Sequence, residues 1–228
     1  MAITLAEKAG APRSARPARP SSGALPMNAS PDRGESSSGT GPARWRIPTP
    51  LAIGALFGLA TVALRLEGRR WWCRCGRPTL WTGDMWSPHT SQHLFDPYSF
   101  THVEHGLVFD AMLRPLSRRL GPSRRLLLAM AVETLWEIAE NTQPVIENYR
   151  KAALARGYEG DSIANSLGDI AACGVGLLLA RRLPVRWSVA LFVGMEVVLL
   201  AIYRDNLILN ITLQFVPIKA VEAWQIRR

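Results

Sequence analysis

Hydrophobic residues in this chain are concentrated in five long runs that polar or basic segments separate. The runs cover about residues 47–64, 103–116, 126–142, 162–180 and 187–203. The first is uncharged between Arg46 and Arg65, and as a helix it would rise roughly 27 Å, close to the thickness of a bilayer's apolar core. The second is the weakest, because it contains several charged residues. The pattern predicts an all-α fold: a polytopic transmembrane helix bundle with about five spans.

Two segments outside these runs also have a hydrophobic or aromatic character. Residues 65–101 combine charges and turn residues with Trp and Tyr, which favour the membrane–water interface. We therefore predict a loop that lies on the bilayer surface. The uncharged stretch 207–218 is too short to cross a bilayer comfortably, so we predict an interfacial segment there.

The first 43 residues differ in composition from the rest of the chain. They are rich in Ala, Pro, Ser, Gly and Arg, whereas residues 44–228 contain all eight Trp and every long apolar run. A segment with so little apolar surface cannot offset the entropy lost on folding. We predict a disordered basic tail over 1–43, without the apolar core of a signal peptide, and an integral membrane helical domain over 44–228.

The net charge of +9 is distributed in a way that favours a membrane over a nucleic acid. Most arginines stand at the borders of apolar runs, and no nucleic-acid-binding motif is present, so the expected partner is the lipid bilayer and not nucleic acid. Two short turns, 114–125 and 181–186, are rich in arginine. Because positive residues in short loops favour the cytoplasm, we predict that both turns and the N-terminus are cytoplasmic.

The three cysteines, Cys73, Cys75 and Cys173, are too few for a disulfide framework. Cys73 and Cys75 form a C-x-C with no second pair, so we do not predict a zinc site from these two alone. Two ordinary thiols or one strained local disulfide are the alternatives. Cys173 is expected to be a small buried residue.

Two sets of acidic positions adjoin apolar runs. Glu133, Glu137 and Glu140 are spaced i, i+4 and i+7, so a helix gathers them on one face. The same holds for a second set spaced i, i+4 and i+8, which consists of Asp161, Asn165 and Asp169. Carboxylates in lipid-length helices are costly, and by default they indicate a functional site.

Alternation of five spans would bring most of these polar groups to the end of the bundle opposite the basic turns. The second and fourth spans begin there, and the third and fifth end there. The other polar groups expected at this end are His102, His105, Glu104, Glu140, Asn141, Glu196, Asp205 and Asn206. We predict a polar funnel that opens outward. Small residues at Gly168, Ala172 and Gly176 would let the fourth span approach a neighbour closely, and we expect that neighbour to be the glutamate face of the third.

Several chemistries fit this cluster. The string His102-Val-Glu-His105 is not a zinc-protease motif, but a divalent cation such as Zn²⁺, Mn²⁺ or Mg²⁺ is one alternative. Its candidate ligands are Asp161, Asn165, Asp169 and His105. The candidate catalytic residues are Glu133, Glu137, His102 and His105, with Glu137 as general base. A structural polar network and an ion or solute path remain open.

Two function classes follow from these alternatives, and the sequence leaves open whether the protein is an enzyme. In the first, the cluster acts on a lipid-linked or envelope substrate, as in a metal-assisted hydrolase or transferase. In the second, the protein is a non-enzymatic structural or envelope-stress component whose carboxylates stabilise the bundle. A proton-linked carrier is disfavoured, because no inverted repeat is visible in the sequence.

Several motifs between residues 65 and 228 resemble those of a known family. They are Trp81-Thr-Gly, Ser91-Gln-His-Leu, Ser99-Phe-Thr-His-Val-Glu-His-Gly106, Glu133-x3-Glu137-x2-Glu140-Asn141, Tyr158-x-Gly-Asp-Ser-x2-Asn-Ser-x-Gly-Asp169 and Arg204-Asp-Asn-Leu-x-Leu-Asn210. The family is an uncharacterised one of bacterial multi-pass inner-membrane proteins. The chain is also weakly similar to VanZ-like membrane proteins, which are linked to glycopeptide tolerance. The resemblance implies a location in the bacterial plasma (inner) membrane and brings no defined activity.

Overall fold

A computed structural model describes residues 48–151 and 157–226, in which every regular element apart from one isolated bridge is a helix. The helices are α1 (Thr49–Leu66), α2 (Ser99–Leu113), α3 (Pro122–Glu140), α4 (Gln143–Tyr149), α5 (Ile163–Arg182), α6 (Val185–Tyr203), α7 (Leu207–Phe215) and α8 (Lys219–Ile226). A short 3-10 turn, Arg114–Arg118, follows α2. The all-α prediction is confirmed, while the predicted tail over 1–43 lies outside the described residues.

Three helices, α1, α5 and α6, are long and apolar enough to cross a membrane. The predicted count of five spans is not confirmed by this criterion, although helices form at all five positions. The helix α2 has 15 residues and carries Glu104 and Asp110. The helix α3 starts with two arginines and contains three glutamates. Length and charge thus separate α2 from the other three, whereas α3, with 19 residues, differs from them in charge and not in length.

The helices α2 and α3 begin about one turn earlier than predicted. The helix α2 begins at Ser99 rather than at residue 103, so His102 lies within it. The Asp96 carboxylate accepts hydrogen bonds from the backbone N–H groups of Ser91 (2.6 Å) and Tyr98 (2.8 Å), which organises the chain just before the helix. The helix α3 begins at Pro122, because the fixed φ of proline suits a first turn.

One end of the bundle, which we call the cavity end, gathers the predicted polar groups. Backbone hydrogen bonds from Ser162 to Ser91 (2.9 Å) and from Ile163 to Arg70 (2.7 Å) attach the start of α5 to the segment after α1. The Tyr98 hydroxyl, just before α2, donates to Asp205 beyond the end of α6. The starts of α2 and α5 therefore meet the ends of α1 and α6 here.

The opposite end, which we call the basic end, is organised by one buried carboxylate. Asp110 of α2 lies 3.1 Å from Arg114, 3.7 Å from Arg125 and 3.6 Å from Arg181. The Arg181 guanidinium also donates to the Pro122 carbonyl. The two arginine-rich turns are thus attached to each other.

The helix α5 is the most enclosed of the three membrane-compatible helices, with 61% of its apolar window buried against 11% for α1 and for α6. Its small-residue face packs on α2, not on α3 as predicted. A side chain at Gly176 would overlap the Val103 carbonyl, and one at Gly106 would overlap the Cys173 carbonyl. The reason is that α2 has its own glycine, Gly106, opposite the ridge, and α3 has none within its bounds.

The loop between α1 and α2, residues 67–98, is only in part a surface segment. Ser91, His93 and Asp96 are buried, and a side chain at Gly168 of α5 would overlap the Leu94 carbonyl. This loop therefore packs onto the cavity end of the bundle. The prediction of a surface loop is wrong for residues 91–96, because Gly168 leaves room for their backbone.

Candidate functional site

A buried histidine of α2 stands among three carboxylates. His102 Nδ1 lies 2.6 Å from Glu133 Oε1 and 3.2 Å from Glu137 Oε1, and its Nε2 lies 3.9 Å from Asp169 Oδ2. All four side chains are nearly inaccessible to solvent. Such a histidine can take up or release a proton between fixed acceptors.

The second histidine of α2, His105, is one turn further along. Its Nδ1 is 3.1 Å from Glu133 Oε2. Its ring stacks on Phe109 and meets Trp136 edge to face, with centroids 5.8 and 6.0 Å apart. His105 is thus held by both hydrogen bonding and aromatic packing.

Helical spacing explains how three helices supply this set. His102 and His105 are three residues apart on α2, Glu133 and Glu137 are four apart on α3, and Asp169 lies two turns inside α5. Their ligand atoms converge in two groups, each within 4.8 Å, which share His102. These groups are His102, His105 and Glu133, and His102, Glu137 and Asp169.

The predicted cation ligands Asp161, Asn165, Asp169 and His105 do not converge as one such group among the described residues. Asp161 is bound instead by Asn141 Nδ2 and the Tyr158 hydroxyl, both at 2.9 Å. Burial raises the pKa of the Asp161 carboxyl, and these two hydrogen bonds oppose the rise. Asn141 Oδ1 also accepts from the Asp161 backbone N–H, so the pair ties the end of α3 to the start of α5. Glu140, the last residue of α3, lies close to Asp161.

Asn165 is placed by the cap of its helix. Its backbone N–H donates to Ser162 Oγ, the N-cap side chain of α5. Its own side chain is buried, and its Nδ2 has no hydrogen-bond partner among the described residues.

A second polar group lies at the junction of α6 and α7, apart from His102. Glu196 accepts hydrogen bonds from the backbone N–H groups of Leu207 (2.8 Å) and Ile208 (3.4 Å), and Glu104 of α2 contacts it. Asn206 caps α7 by accepting a hydrogen bond from the Leu209 backbone N–H. A carboxylate at a helix N-terminus is stabilised by the free N–H groups and the dipole. The predicted cluster is thus divided into two.

The residues His102, His105, Glu133, Glu137 and Asp169, which we call the α2–α3–α5 cluster, lie beside a cavity of about 650 Å³. Its polar lining includes His102, His105, Glu140, Asp161 and Asp169. Its aromatic and apolar lining includes Trp136, Tyr149, Leu207 and Ile211. A volume of this order suits a small ligand or the head of a larger one.

The mouth of the cavity is formed by two loops that hold each other. Arg74 of the 67–98 loop makes an ion pair with Glu159 at 2.7 Å, and Gln92 Nε2 donates to the Gly160 carbonyl at 2.8 Å. The Arg69 guanidinium also donates to the Glu159 carbonyl. These contacts fix the loop over the site.

Sequence reasoning missed one set of residues in this loop. Cys73, Cys75, His89 and His93 come together, with one ligand atom of each within 4.8 Å of the others. The sequence signal for this set is a C-x-C followed about 14 residues later by H-x3-H, which together supply four zinc-type ligands. The cysteines alone do not indicate it.

Comparison of the sequence with known proteins places this chain in a family. Residues 64–227 match the profile of a family described as "Protein of unknown function (DUF2585)". A UPF0314 protein of Rhizobium meliloti (strain 1021) is 44% identical over 175 residues, which cover 77% of this chain and 89% of that protein. A UPF0314 protein of Paracoccus denitrificans (strain Pd 1222) is 44% identical over 167 residues, covering 73% and 86%. One from Brucella anthropi is 35% identical over 178 residues, covering 76% and 90%.

These matches confirm the resemblance to an uncharacterised bacterial family, while the similarity to VanZ-like proteins stays a prediction. No solved structure matches the chain significantly.

Proposed function

Because this chain belongs to the DUF2585 family, whose function is unknown, we propose a function from the geometry of its own residues. We propose that it is an integral enzyme of the bacterial inner membrane, with its cavity end facing outward. It would act on a lipid-linked or envelope substrate by acid–base catalysis, as a hydrolase or transferase.

The observation that carries this proposal is the position of His102 between two glutamates at the cavity. Glu133, at 2.6 Å from Nδ1, orients the imidazole, and Nε2 is directed to the side of Asp169. A histidine held by a carboxylate on one nitrogen can exchange a proton at the other. His102 thus acts as the proton carrier.

Glu137 is the second acid–base group. Its carboxylate is buried, and neither oxygen has a hydrogen-bond partner of good geometry among the described residues, although His102 lies 3.2 Å away. Glu137 does not itself line the cavity, so it would exchange a proton with a bound water or hydroxyl through His102, which does. In place of this acid–base arrangement, a divalent cation held by His102, Glu137 and Asp169 would activate the substrate as a Lewis acid.

The character of the cavity supports an amphiphilic substrate. Polar groups of α2, α3 and α5 line one part, while Leu207 and Ile211 of α7 line another. The other face of α7 exposes Ile208 and Phe215, as expected for a helix at the membrane interface. A lipid-linked molecule entering beside α7 would bring its polar group to His102.

The experiment compares lipid extracts by mass spectrometry from a deletion strain that expresses either wild type or a variant. We expect a lipid-linked species to accumulate in the deletion strain and with His102→Gln, Glu137→Gln or Asp169→Asn. Loss of one acid–base group should slow turnover by about 10²–10⁴-fold. Glu147→Gln, an exposed change on α4, is the matched control and should restore the wild-type profile. The protein level in the membrane is measured for each variant.

A non-enzymatic scaffold is the second candidate, and one observation favours it. Glu196 caps α7 and Asp110 binds arginines, so several buried carboxylates have structural partners. In that case His102→Gln and Glu137→Gln would lower the amount of protein in the membrane and its melting temperature, and no lipid species would accumulate. The proposal of an enzyme would be refuted if His102→Gln, Glu137→Gln and Asp169→Asn all gave normal lipid profiles at normal protein levels.

A further inference from the structure

Two cysteines and two histidines converge in the 67–98 loop, outside the α2–α3–α5 cluster. Cys73 Sγ lies 3.2 Å from His89 Nδ1, and Cys75 Sγ lies 3.8 Å from His93 Nε2. The His89 and His93 rings are 5.8 Å apart. One ligand atom of each residue lies within 4.8 Å of the other three. The four donors therefore surround one point.

We propose that Cys73, Cys75, His89 and His93 bind a zinc ion. Tetrahedral zinc with bonds of about 2.3 Å to sulfur and about 2.0 Å to nitrogen places neighbouring donors roughly 3.3–3.8 Å apart. The observed sulfur–nitrogen separations, 3.2 and 3.8 Å, lie on either side of the roughly 3.5 Å expected for this pair of donors. Thiolates and imidazoles select zinc over magnesium or calcium, which prefer oxygen. Two thiolates also neutralise the charge of Zn²⁺.

The surroundings orient the ligands as an outer shell does. His93 Nδ1 is 2.9 Å from Thr79 Oγ1, so its other nitrogen, Nε2, is directed to Cys75. The backbone N–H of Cys75 is 3.5 Å from Cys73 Sγ, and such contacts favour a thiolate. The Trp72 ring meets His93 edge to face. Hydrogen bonds of this kind fix the ring and tautomer of a zinc-bound histidine.

Four protein ligands leave no open position, so this zinc is structural. The loop has little regular structure, with an isolated bridge between Trp81 and Phe95, and a metal can supply folding energy where a small segment has little core. Cys73, Cys75 and His89 also line the cavity. The zinc therefore holds the 67–98 loop in place beside the proposed active site.

The test uses full-length protein purified in detergent, under reducing conditions and on a tag without histidines. We expect about one zinc per chain in the wild type by elemental analysis, and loss of this zinc in Cys73→Ser and Cys75→Ser. Cys173→Ser is the matched control and should keep the metal. The melting temperature should fall on addition of a chelator in the wild type and stay unchanged in Cys75→Ser.

Cobalt substitution gives a readout that does not depend on any variant being stable. Wild-type protein stripped of metal and mixed with Co²⁺ should show the strong near-ultraviolet absorption of thiolate-to-cobalt charge transfer. The proposal would be overturned if purified wild-type protein contained no zinc and the cobalt-treated protein lacked this absorption. So would metal that survives both cysteine substitutions and is lost in His102→Gln, since it would then belong to the α2–α3–α5 cluster. A Cys73–Cys75 disulfide in metal-free protein isolated without reductant would also overturn it. None of these outcomes decides the proposed catalysis, which the lipid profiles test separately.

Discussion

Tyr98 and Asp205 are the residues through which two chain segments meet at the cavity end. The Tyr98 hydroxyl donates to Asp205 Oδ2 at 2.9 Å, and the Asn206 backbone N–H donates to Oδ1. Burial raises the pKa of Asp205 from 3.8 to about 6, and these hydrogen bonds oppose the rise. A raised pKa means that the folded protein holds this proton more tightly than the unfolded chain. Asp205 therefore makes the fold less stable as the pH rises from about 4 to about 6.

Tyr98→Phe should destabilise the protein more near pH 7.5, above this range, than near pH 5, within it. The lost hydrogen bond favours the ionised carboxylate, so its removal raises the pKa of Asp205 further. We expect a loss of about 1–2 kcal/mol near pH 7.5 and a smaller loss near pH 5. Thermal unfolding in detergent at both pH values measures this difference. Tyr203→Phe is the control, and an equal loss for Tyr98→Phe at both pH values would contradict the assignment.

Single residues also mark how far sequence reasoning reached. The spacing of Glu133 and Glu137 predicted a shared face, and the structure places both at His102. Glu104 lies on α2 with His102, but it is close to Glu196 of α6 instead. Spacing tells which side chains share a face of one helix, whereas the choice of partner depends on how the helix is rotated against its neighbours.

At the scale of the elements, the close contact of α2 with α5 sets the geometry of the site. Gly106 and Gly176 face each other's backbones, which brings His102 of α2 beside Asp169 of α5. Small residues allow such approach in a membrane, where packing replaces the hydrophobic effect as the force between helices.

Gly106→Ala should therefore be strongly destabilising. The added methyl group would overlap the backbone of α5 near Cys173 and Leu177, and neither backbone can move aside without separating the helices. We expect a loss of about 1–3 kcal/mol, measured as a lower melting temperature in detergent. Gly58→Ala on α1 is the control, because its added Cβ would meet no atom within 4 Å. That change should be neutral or slightly stabilising. Equal melting temperatures for the two variants would show that the contact is not tight.

The elements themselves were largely predictable, and their contacts were less so. Apolar runs located α1, α5 and α6, and the short stretch after Asn206 became α7. The small-residue ridge of α5 was visible in sequence, but its partner was not. Gly106 stands within a polar stretch of α2, so the sequence of α2 shows no ridge of small residues that would identify it as the partner of α5. The 67–98 loop gave no periodic signal, and its zinc-type cluster depends on the irregular path of the chain that brings the two cysteines and the two histidines together.

At the scale of the whole molecule, the two ends of the bundle have opposite chemistry. The cavity end carries carboxylates and histidines, and the basic end carries the arginines around Asp110. Alternation of spans predicted this separation from the sequence. It does not by itself determine which end faces the cytoplasm, because that depends on the charges flanking each span.

We predict that the basic end is cytoplasmic and the cavity end faces outward, because short arginine-rich turns are retained inside. Glu159→Cys at the cavity mouth and Arg119→Cys in the basic turn place one exposed thiol at each end. In spheroplasts, a membrane-impermeant thiol reagent should label Glu159→Cys at once and Arg119→Cys only after permeabilisation. Peptide mass spectrometry locates each label, so the native cysteines and their proposed zinc stay in place. The reverse pattern would put the cavity in the cytoplasm. The acid–base chemistry could then remain, but an envelope substrate would be excluded, since the active site would open to the wrong side.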